Sequence, residues 1–465
     1  MKNFENDIVL FGFGAVGQSA LVILEKEISF DKNKLTIIDK TAKPFDTKYK
    51  YVQAELFPGK QNEYFSPYVS KGGLLLDFSS DVDCIETIKW CYENGIMYLN
   101  TGDNEWPHNE WSNIYEHYIK NEAFFKDCAD DAATIVIHHG ANPGSVSHFA
   151  KLGLHDIAQE LIDGTTDLDK TKLKKFLDEK KWGELAEYLE VRTIQSSDRD
   201  NQMMDPNTIS SDTFYSTWNA LTFYNESTCF AEARIGTTEK LSGKLDLKLY
   251  DPEYGAVEVN ERGTRCFSKG WAPCGEYLGM IVGHEEDFSI SDCLSVYNPD
   301  GSLRYRPTVY FCYRASDLGM ESLRKAALNG YEEPKNMQLV KKGIVEGTEY
   351  VGVLIMGNKF KSRWVGNCLT LDWINKHFPG QTPTILQVSV PAVSAVSYMV
   401  ENRNKGINYP DDLPYEEIVP LIEKYADKSI SVTTDFTLEH DMEKDFVKKD
   451  IIDMFFENSP LSKVS

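Results

Sequence analysis

The sequence predicts an α/β protein: an N-terminal Rossmann domain with a parallel sheet, then an α+β mixed-sheet domain and C-terminal helices. Three observations predict it. Over residues 1–145, short apolar runs alternate with stretches whose apolar residues recur at helical spacing, as βαβ units require. A glycine-rich turn follows the first apolar run directly and opens a helical stretch. Beyond residue 145 strand patterns dominate to about residue 366, and helical periodicity returns from about residue 384.

Residues 7–11 (DIVLF) form the first strand, and 15–27 the helix after the glycine turn. Residues 35–39 (LTIID) are the second strand. Residues 73–78, 96–100 and 134–137 are later strands, with helices over 84–94 and 111–128 between them. Residues 161–189 are charge-rich and read as surface helices broken at Gly183. Strands at 191–195, 229–235, 245–249 and 308–313 suit a mixed sheet, and helices at 388–402, 415–425 and 442–456 close the chain. The expected division is therefore 1–145 as the dinucleotide domain and 146–383 as the substrate domain. Residues 384–465 form a helical tail able to pack back on the first domain.

Composition narrows the function. The chain has 465 residues and a formal charge of −23, which weighs against a nucleic-acid or anionic-membrane partner and suits a cationic small ligand. It shows no run of about 18 apolar residues, so no membrane span is expected. The N-terminus enters a strand at once and lacks the pattern of a signal peptide. Nine cysteines lie scattered without a CxxC pair, which fits reduced thiols in a cytoplasmic protein. His138 and His139 adjoin, but no HExxH or other good metal set is present, and no metal is expected.

Gly12-Phe13-Gly14-Ala15-Val16-Gly17 is GxGxxG in the context its chemistry needs, between a strand and a helix. The first glycine allows the tight turn, the second lets the backbone approach a pyrophosphate, and the third lets helix pack on strand. The phosphates then meet the positive helix N-terminus, with Gly12, Gly14, Ala15, Val16 and Gly17 as cofactor contacts. Asp39 ends the second strand and can accept from the adenosine ribose hydroxyls, favouring NAD over NADP; Lys40 opposes that preference. Ser79 and Ser80, Thr101, and Asn142 follow later strands, where ligands of open α/β sheets bind. Pro143 fixes the turn that holds the Asn142 amide near a nicotinamide.

Further motifs follow in order. They are Asn100-Thr101-Gly102-Asp103-Asn104-Glu105-Trp106, His139-Gly140-Ala141-Asn142-Pro143-Gly144 and Ser197-Asp198-Arg199-Asp200. Ser216-Thr217-Trp218 comes next with Glu226 beyond it, then Gly283-His284-Glu285-Glu286 and Tyr305-Arg306-Pro307-Thr308-Val309. In this order, over most of the chain, they resemble the bacterial-type homospermidine synthase family, relatives of saccharopine dehydrogenase. The resemblance implies a homodimeric enzyme that uses NAD to oxidise putrescine to an imine, which loses ammonia. A second putrescine amine then condenses with the intermediate, and re-reduction gives homospermidine with no net redox change. It implies that Trp218, Glu226, Glu105, Asp198 and Glu286 hold the diamine, and that Glu226, His284, Trp218 and Asn142 serve catalysis. Asp198 stands where the family typically has a glutamate, one methylene longer.

Chemistry supports these residue types independently. Putrescine carries two ammonium groups, since alkylammonium pKa values lie near ~10.4, and carboxylates with an aromatic face compensate them. One nitrogen must lose a proton before hydride leaves the adjacent carbon, and Glu226 or His284 is placed to take it. Each residue also has a plainer reading: Trp218 as core, Glu226 as a loop acid, His284 as a core histidine, Glu105 and Asp198 as partners in salt bridges. Cys229 reads as a structural cysteine, because nothing near it activates a thiolate. A competing function is a saccharopine-reductase-type oxidoreductase acting on an amino-acid imine, with Arg306 and Arg314 as carboxylate receptors. A third is a non-catalytic NAD-sensing protein.

Overall fold

The computed structural model describes residues 1–453 apart from 45–46, 81, 107–112, 240, 242, 244 and 252–254. These residues form two compact units rather than three consecutive segments. One comprises 1–112, 116–148 and 385–428; the other comprises 113–115, 149–384 and the chain from 429 onward. The tail expected as one helical segment is thus shared between the units.

The first unit is a parallel sheet with helices, the expected Rossmann arrangement. Its strands run in the order Ile407–Asn408, Ile135–Val136, Met97–Asn100, Leu74–Asp77, Ile8–Phe11, Leu35–Asp39, Lys50–Gln53, every neighbour parallel. The strands read as near-continuous apolar runs because both faces are covered. Val9, Phe11, Ile38, Leu75, Tyr98 and Ile135 meet Ile88, Trp90 and Cys91 of the helix Cys84–Asn94 in one core. Asp83 caps that helix by accepting from Glu86 N at 3.2 Å, and Gly95 ends it at φ 64°, a conformation glycine adopts without strain.

The C-terminal part of the chain contains the long helix Pro383–Glu401. It is long and apolar enough to cross a membrane by length and composition, with mean hydropathy 1.3 over its best window, yet 83% of that window is buried. Its Thr, Gln, Ser and Pro residues interrupt the apolar run. It is a core helix.

The second unit is built on an eleven-stranded mixed sheet. Its central strands are Thr308–Arg314 and Val191–Asp200, which pair in parallel, and Thr348–Gly357, antiparallel to Val191–Asp200. Gly275–Val282 joins the other edge of Thr308–Arg314 and leads straight into His284. Several local expectations change. Gly183 lies inside the helix Trp182–Tyr188, and the breaks fall on either side of Lys170–Asp178. The helix expected at 442–456 is interrupted: a single turn, Met442–Asp445, leads into the strand Phe446–Lys448, which pairs with Cys266–Ala272, and helical backbone returns at 451–453; residues 454–456 lie outside the described residues. The helix expected at 111–128 runs over Ile114–Phe125, and residues 111 and 112 also lie outside. None of the nine cysteines is joined in a disulfide.

Candidate functional site

The first unit presents a dinucleotide cradle. Gly12 sits at φ 85°, and a Cβ there would lie 2.5 Å from the Phe78 carbonyl carbon. A Cβ on Gly17 would lie 2.3 Å from the Gly12 oxygen, whereas one on Gly14 would meet nothing within 4 Å. The two flanking glycines are thus required by the fold, and the middle one faces open space. Gly14 also begins the helix Ala15–Glu27, whose first turn carries no side-chain cap and no acid. Free backbone N–H groups beside open space are what a pyrophosphate would use. Asp39 accepts from Phe13 N at 2.5 Å through Oδ2, and from Thr41 N and Oγ1 at 2.7 and 2.6 Å through Oδ1. These bonds fix the carboxylate at the strand end and leave Oδ2 a lone pair for a ribose hydroxyl. The residues present fit the group.

The later strand ends differ from one another. Ser79 donates to Asp77 Oδ1 at 2.6 Å, Ser80 is exposed, and Thr101 is half-buried. Asn142 lies before Pro143 in a cis peptide, in a turn closed by Gly140 N donating to Pro143 O at 2.8 Å. Among the described residues its side chain makes no hydrogen bond, so the amide is available to a ligand. Glu105 is not an isolated acid: His117 Nε2 lies 2.8 Å from its Oε1, and His117 Nδ1 lies 2.9 Å from Asp103 Oδ2. Burial opposes charging of His117, but the two carboxylates prevail and raise its pKa to about 10. Asp103 is drawn down to about 2 against its own burial, by His117 and His138. No motif marks His117, which reaches Glu105 from a separate helix.

In the second unit the fold gathers Trp218, Glu226, His284, Glu286 and Asp198. Glu226 lies on the helix Ala220–Thr228, not in a loop, and Trp218 in the turn before it, not in a strand. Asn219 starts that helix by accepting from Leu221 N and Thr222 N at 3.1 and 3.2 Å. His284 precedes the helix Glu285–Cys293, whose first turn is acidic and so favoured by the helix dipole. The His284 ring lies 4.6 Å from that of Phe311; its Nδ1 is 2.5 Å from Glu286 Oε2, and its Nε2 is 4.0 Å from Glu226 Oε2. Ser196 Oγ donates to the other Glu286 oxygen at 2.8 Å.

Electrostatics set these groups apart. Burial lowers the His284 pKa, but Glu286, Glu285 and Glu226 outweigh it and hold the imidazole well above its usual range. Burial pushes Glu226 up to about 8, with His284 pulling the other way. Asp198 is pushed well up by burial and by Asp200, and Asp198 Oδ1 is buried with no partner. Two acids that sequence reasoning missed share this environment. Glu349, opposite Asp200 across the strand pair, is raised by burial and by Asp198 and Asp200. Asp287 is raised by burial and by Glu286, and neither of its oxygens has a partner. Buried carboxylates with so little counter-charge either hold protons or await a cation.

The remaining candidates fall away from this cluster. Arg306 packs on Gly255 and donates from Nε to Ile235 O at 3.2 Å; Arg314 pairs with Asp317 at 3.4 Å. These bonds disfavour their use as carboxylate receptors. Burial pushes the Cys229 thiol up to about 12, consistent with an inert cysteine. Where the sequence offered no metal set, the fold brings together Cys84, Asp103 and His138, and separately His284, Glu285 and Glu286, each set with donor atoms within 4.8 Å. The contacts Cys84 Sγ–Asp103 Oδ1 (2.9 Å) and His284 Nδ1–Glu286 Oε2 (2.5 Å) already occupy them.

Comparison with known proteins agrees with this reading. Residues 8–136 match the saccharopine dehydrogenase NADP binding domain family. The chain is 27% identical to a homospermidine synthase of Mesorhizobium japonicum, covering 92% of this chain and 90% of the relative. It is 27% identical to the homospermidine synthase of Blastochloris viridis, covering 93% and 92%. The fold is also that of a homospermidine synthase from Legionella pneumophila solved in complex with NAD, with TM-score 0.83, 24% identity and coverage of 94% and 93%.

Proposed function

We propose that the chain is an NAD-dependent homospermidine synthase, converting two putrescines into homospermidine and ammonia without net redox change. The observation that carries the proposal is the buried acid group of Asp198, Glu226, Glu286, Asp287 and Glu349 with Trp218 linked to it, a receptor for a dication. Whole-length similarity to two homospermidine synthases supports it.

The dinucleotide, when bound, supplies the acceptor for hydride from the amine carbon and the donor for the final reduction. The chain supplies everything else. Asp198 and the indole face of Trp218 hold the ammonium groups. Glu226 takes the proton that turns the reacting ammonium into a free amine. The His284 imidazolium, fixed by Glu286, stands 4.0 Å from Glu226 and supplies a proton to the departing ammonia. The Asn142 amide orients the nicotinamide, and His117 holds Glu105 in place. The homodimer implied by the resemblance and the cytoplasmic location suggested by the scattered cysteines belong to the same proposal.

Incubation with putrescine and NAD, followed by product chromatography, tests the reading. Homospermidine and ammonia in equal amounts, with no NADH accumulating, are expected; steady NADH formation from an amino acid would favour the oxidoreductase. NAD should bind more tightly than NADP, because the fixed Asp39 carboxylate would face a 2′-phosphate. Titration with both cofactors checks this, and equal affinity would mean that Lys40 cancels the carboxylate. The rate should rise with pH from neutrality through about 8, as Glu226 loses its proton. A profile falling steadily from pH 6 upward would contradict that assignment.

A further inference from the structure

Asp198 and Asp200 lie two residues apart on the strand Val191–Asp200, so both side chains leave the same face of the sheet. By pattern alone they are equivalent acids. Their surroundings are not. The Asp198 Oδ1 has no partner, whereas the Asp200 carboxylate is nearly saturated. Its Oδ1 accepts from Gln202 N at 2.7 Å and Gln202 Nε2 at 3.1 Å, and its Oδ2 accepts from Thr217 Oγ1 at 2.8 Å. Gln202 Nε2 is itself 2.8 Å from Thr384 Oγ1. Three of roughly four lone-pair sites are thus committed to the protein.

Thr217 immediately precedes Trp218. The indole is held on two further sides: its Nε1 donates to Tyr313 Oη at 3.0 Å, and its ring lies 6.1 Å from Phe223 in an edge-on arrangement. Tyr313 in turn is the register partner of Asp198 on the neighbouring strand. The turn that carries the indole is therefore anchored by the Thr217–Asp200 bond and by Trp218 N donating to Ser216 Oγ at 3.2 Å, and the ring nitrogen is held by the register partner of Asp198.

We propose that Asp200 is a positioning residue, fixing the indole of Trp218 through Thr217, and is not a second ammonium receptor. The inference rests on the reading of Trp218 as the aromatic face for the diamine. A cation–π contact depends on where the ring plane lies, so a turn free to shift would lose the contact while keeping the ring. Asparagine at 200 keeps every bond without charge. Its amide oxygen accepts from Gln202, and its NH₂ donates to the Thr217 hydroxyl, which accepts as readily as it donates.

The test compares kcat/KM for putrescine across six variants, with NAD affinity and melting temperature as controls of folding. Asp200→Asn should stay within about threefold of the wild type, since the hydrogen bonds persist. Asp198→Asn should fall on the order of tenfold or more, because a hydrogen-bonded charge is lost. Thr217→Val should cost roughly tenfold and Thr217→Ser little, since only the hydroxyl is needed. In a Trp218→Leu background the Thr217→Val cost should vanish, because the bond acts through the ring. A purely structural role would cost the same in both backgrounds.

Loss in Asp200→Asn as deep as in Asp198→Asn would overturn the proposal and make Asp200 a charge receptor. Thr217→Val without effect, or with an undiminished effect beside Trp218→Leu, would overturn it as well. If Trp218→Leu alone were unimpaired, the reading of Trp218 would fall and the inference with it. If Trp218→Leu were impaired and Thr217→Val were not, only the inference would fall.

Discussion

Glu226→Gln is expected to lower kcat/KM for putrescine by about 10²–10⁴-fold, the usual span for a positioned general base. The substitution preserves shape and removes the ability to take a proton. Glu226 is suited to that task because burial raises its pKa to about 8, and among the described residues no hydrogen bond ties up its carboxylate. Below that pH it is protonated and cannot accept; above it the carboxylate form predominates, so the wild-type rate climbs through this region. In Glu226→Gln that limb should flatten and the residual rate should follow the substrate's own ionisation. A pH–rate profile of kcat/KM for both proteins checks the assignment. Retention of the limb in the variant would place the base elsewhere.

Trp218→Leu is expected to cost roughly thirtyfold in kcat/KM for putrescine. An indole face attracts a desolvated ammonium by about 2 kcal/mol, and about 1.4 kcal/mol corresponds to tenfold. Trp218→Phe should retain part of the activity. Both substitutions lose the Nε1 bond to Tyr313, so the difference between them reports the ring face alone. NAD affinity should be unchanged in both, since the dinucleotide cradle belongs to the other unit. Equal activity of the two variants would show that the ring only fills space.

The features legible in the sequence were those that short stretches of backbone impose by themselves. The turn from Gly12 to Gly17 was legible because a Cβ at either end would collide with backbone, so residue type reports geometry. The apolar strands of the first unit were legible because both faces are covered. The helix Ala220–Thr228 was not: ALTFYNEST is rich in β-branched and aromatic residues and depends on the Asn219 cap and on packing. The strand Phe446–Lys448 was hidden because its partner, Cys266–Ala272, is remote in sequence. The same non-locality concealed part of the site. Trp218, Glu226 and the His284–Glu286 pair stand in motifs, but Glu349 is an acid of no local distinction until the strand pairing sets it opposite Asp200. His117 gains its importance only from contacts with Asp103 and Glu105.

The shared tail bears on how the molecule is made. The strand Ile407–Asn408 hydrogen-bonds beside Ile135–Val136, and Ser389 on the helix Pro383–Glu401 meets Ser19 at 2.7 Å. The first unit is thus interrupted between residues 148 and 385 by most of the second. During synthesis at about 5–20 residues per second, its N-terminal portion waits tens of seconds for the strand and helix that complete it. Through that interval the edge strand Ile135–Val136 lacks its neighbour, an exposure that chaperones or early ligand capture would have to cover. The segment 385–428, made after most of the second unit, closes the first-made sheet, so a ribosome stalled anywhere before residue 385 would carry the N-terminal part of the dinucleotide domain with its sheet unfinished.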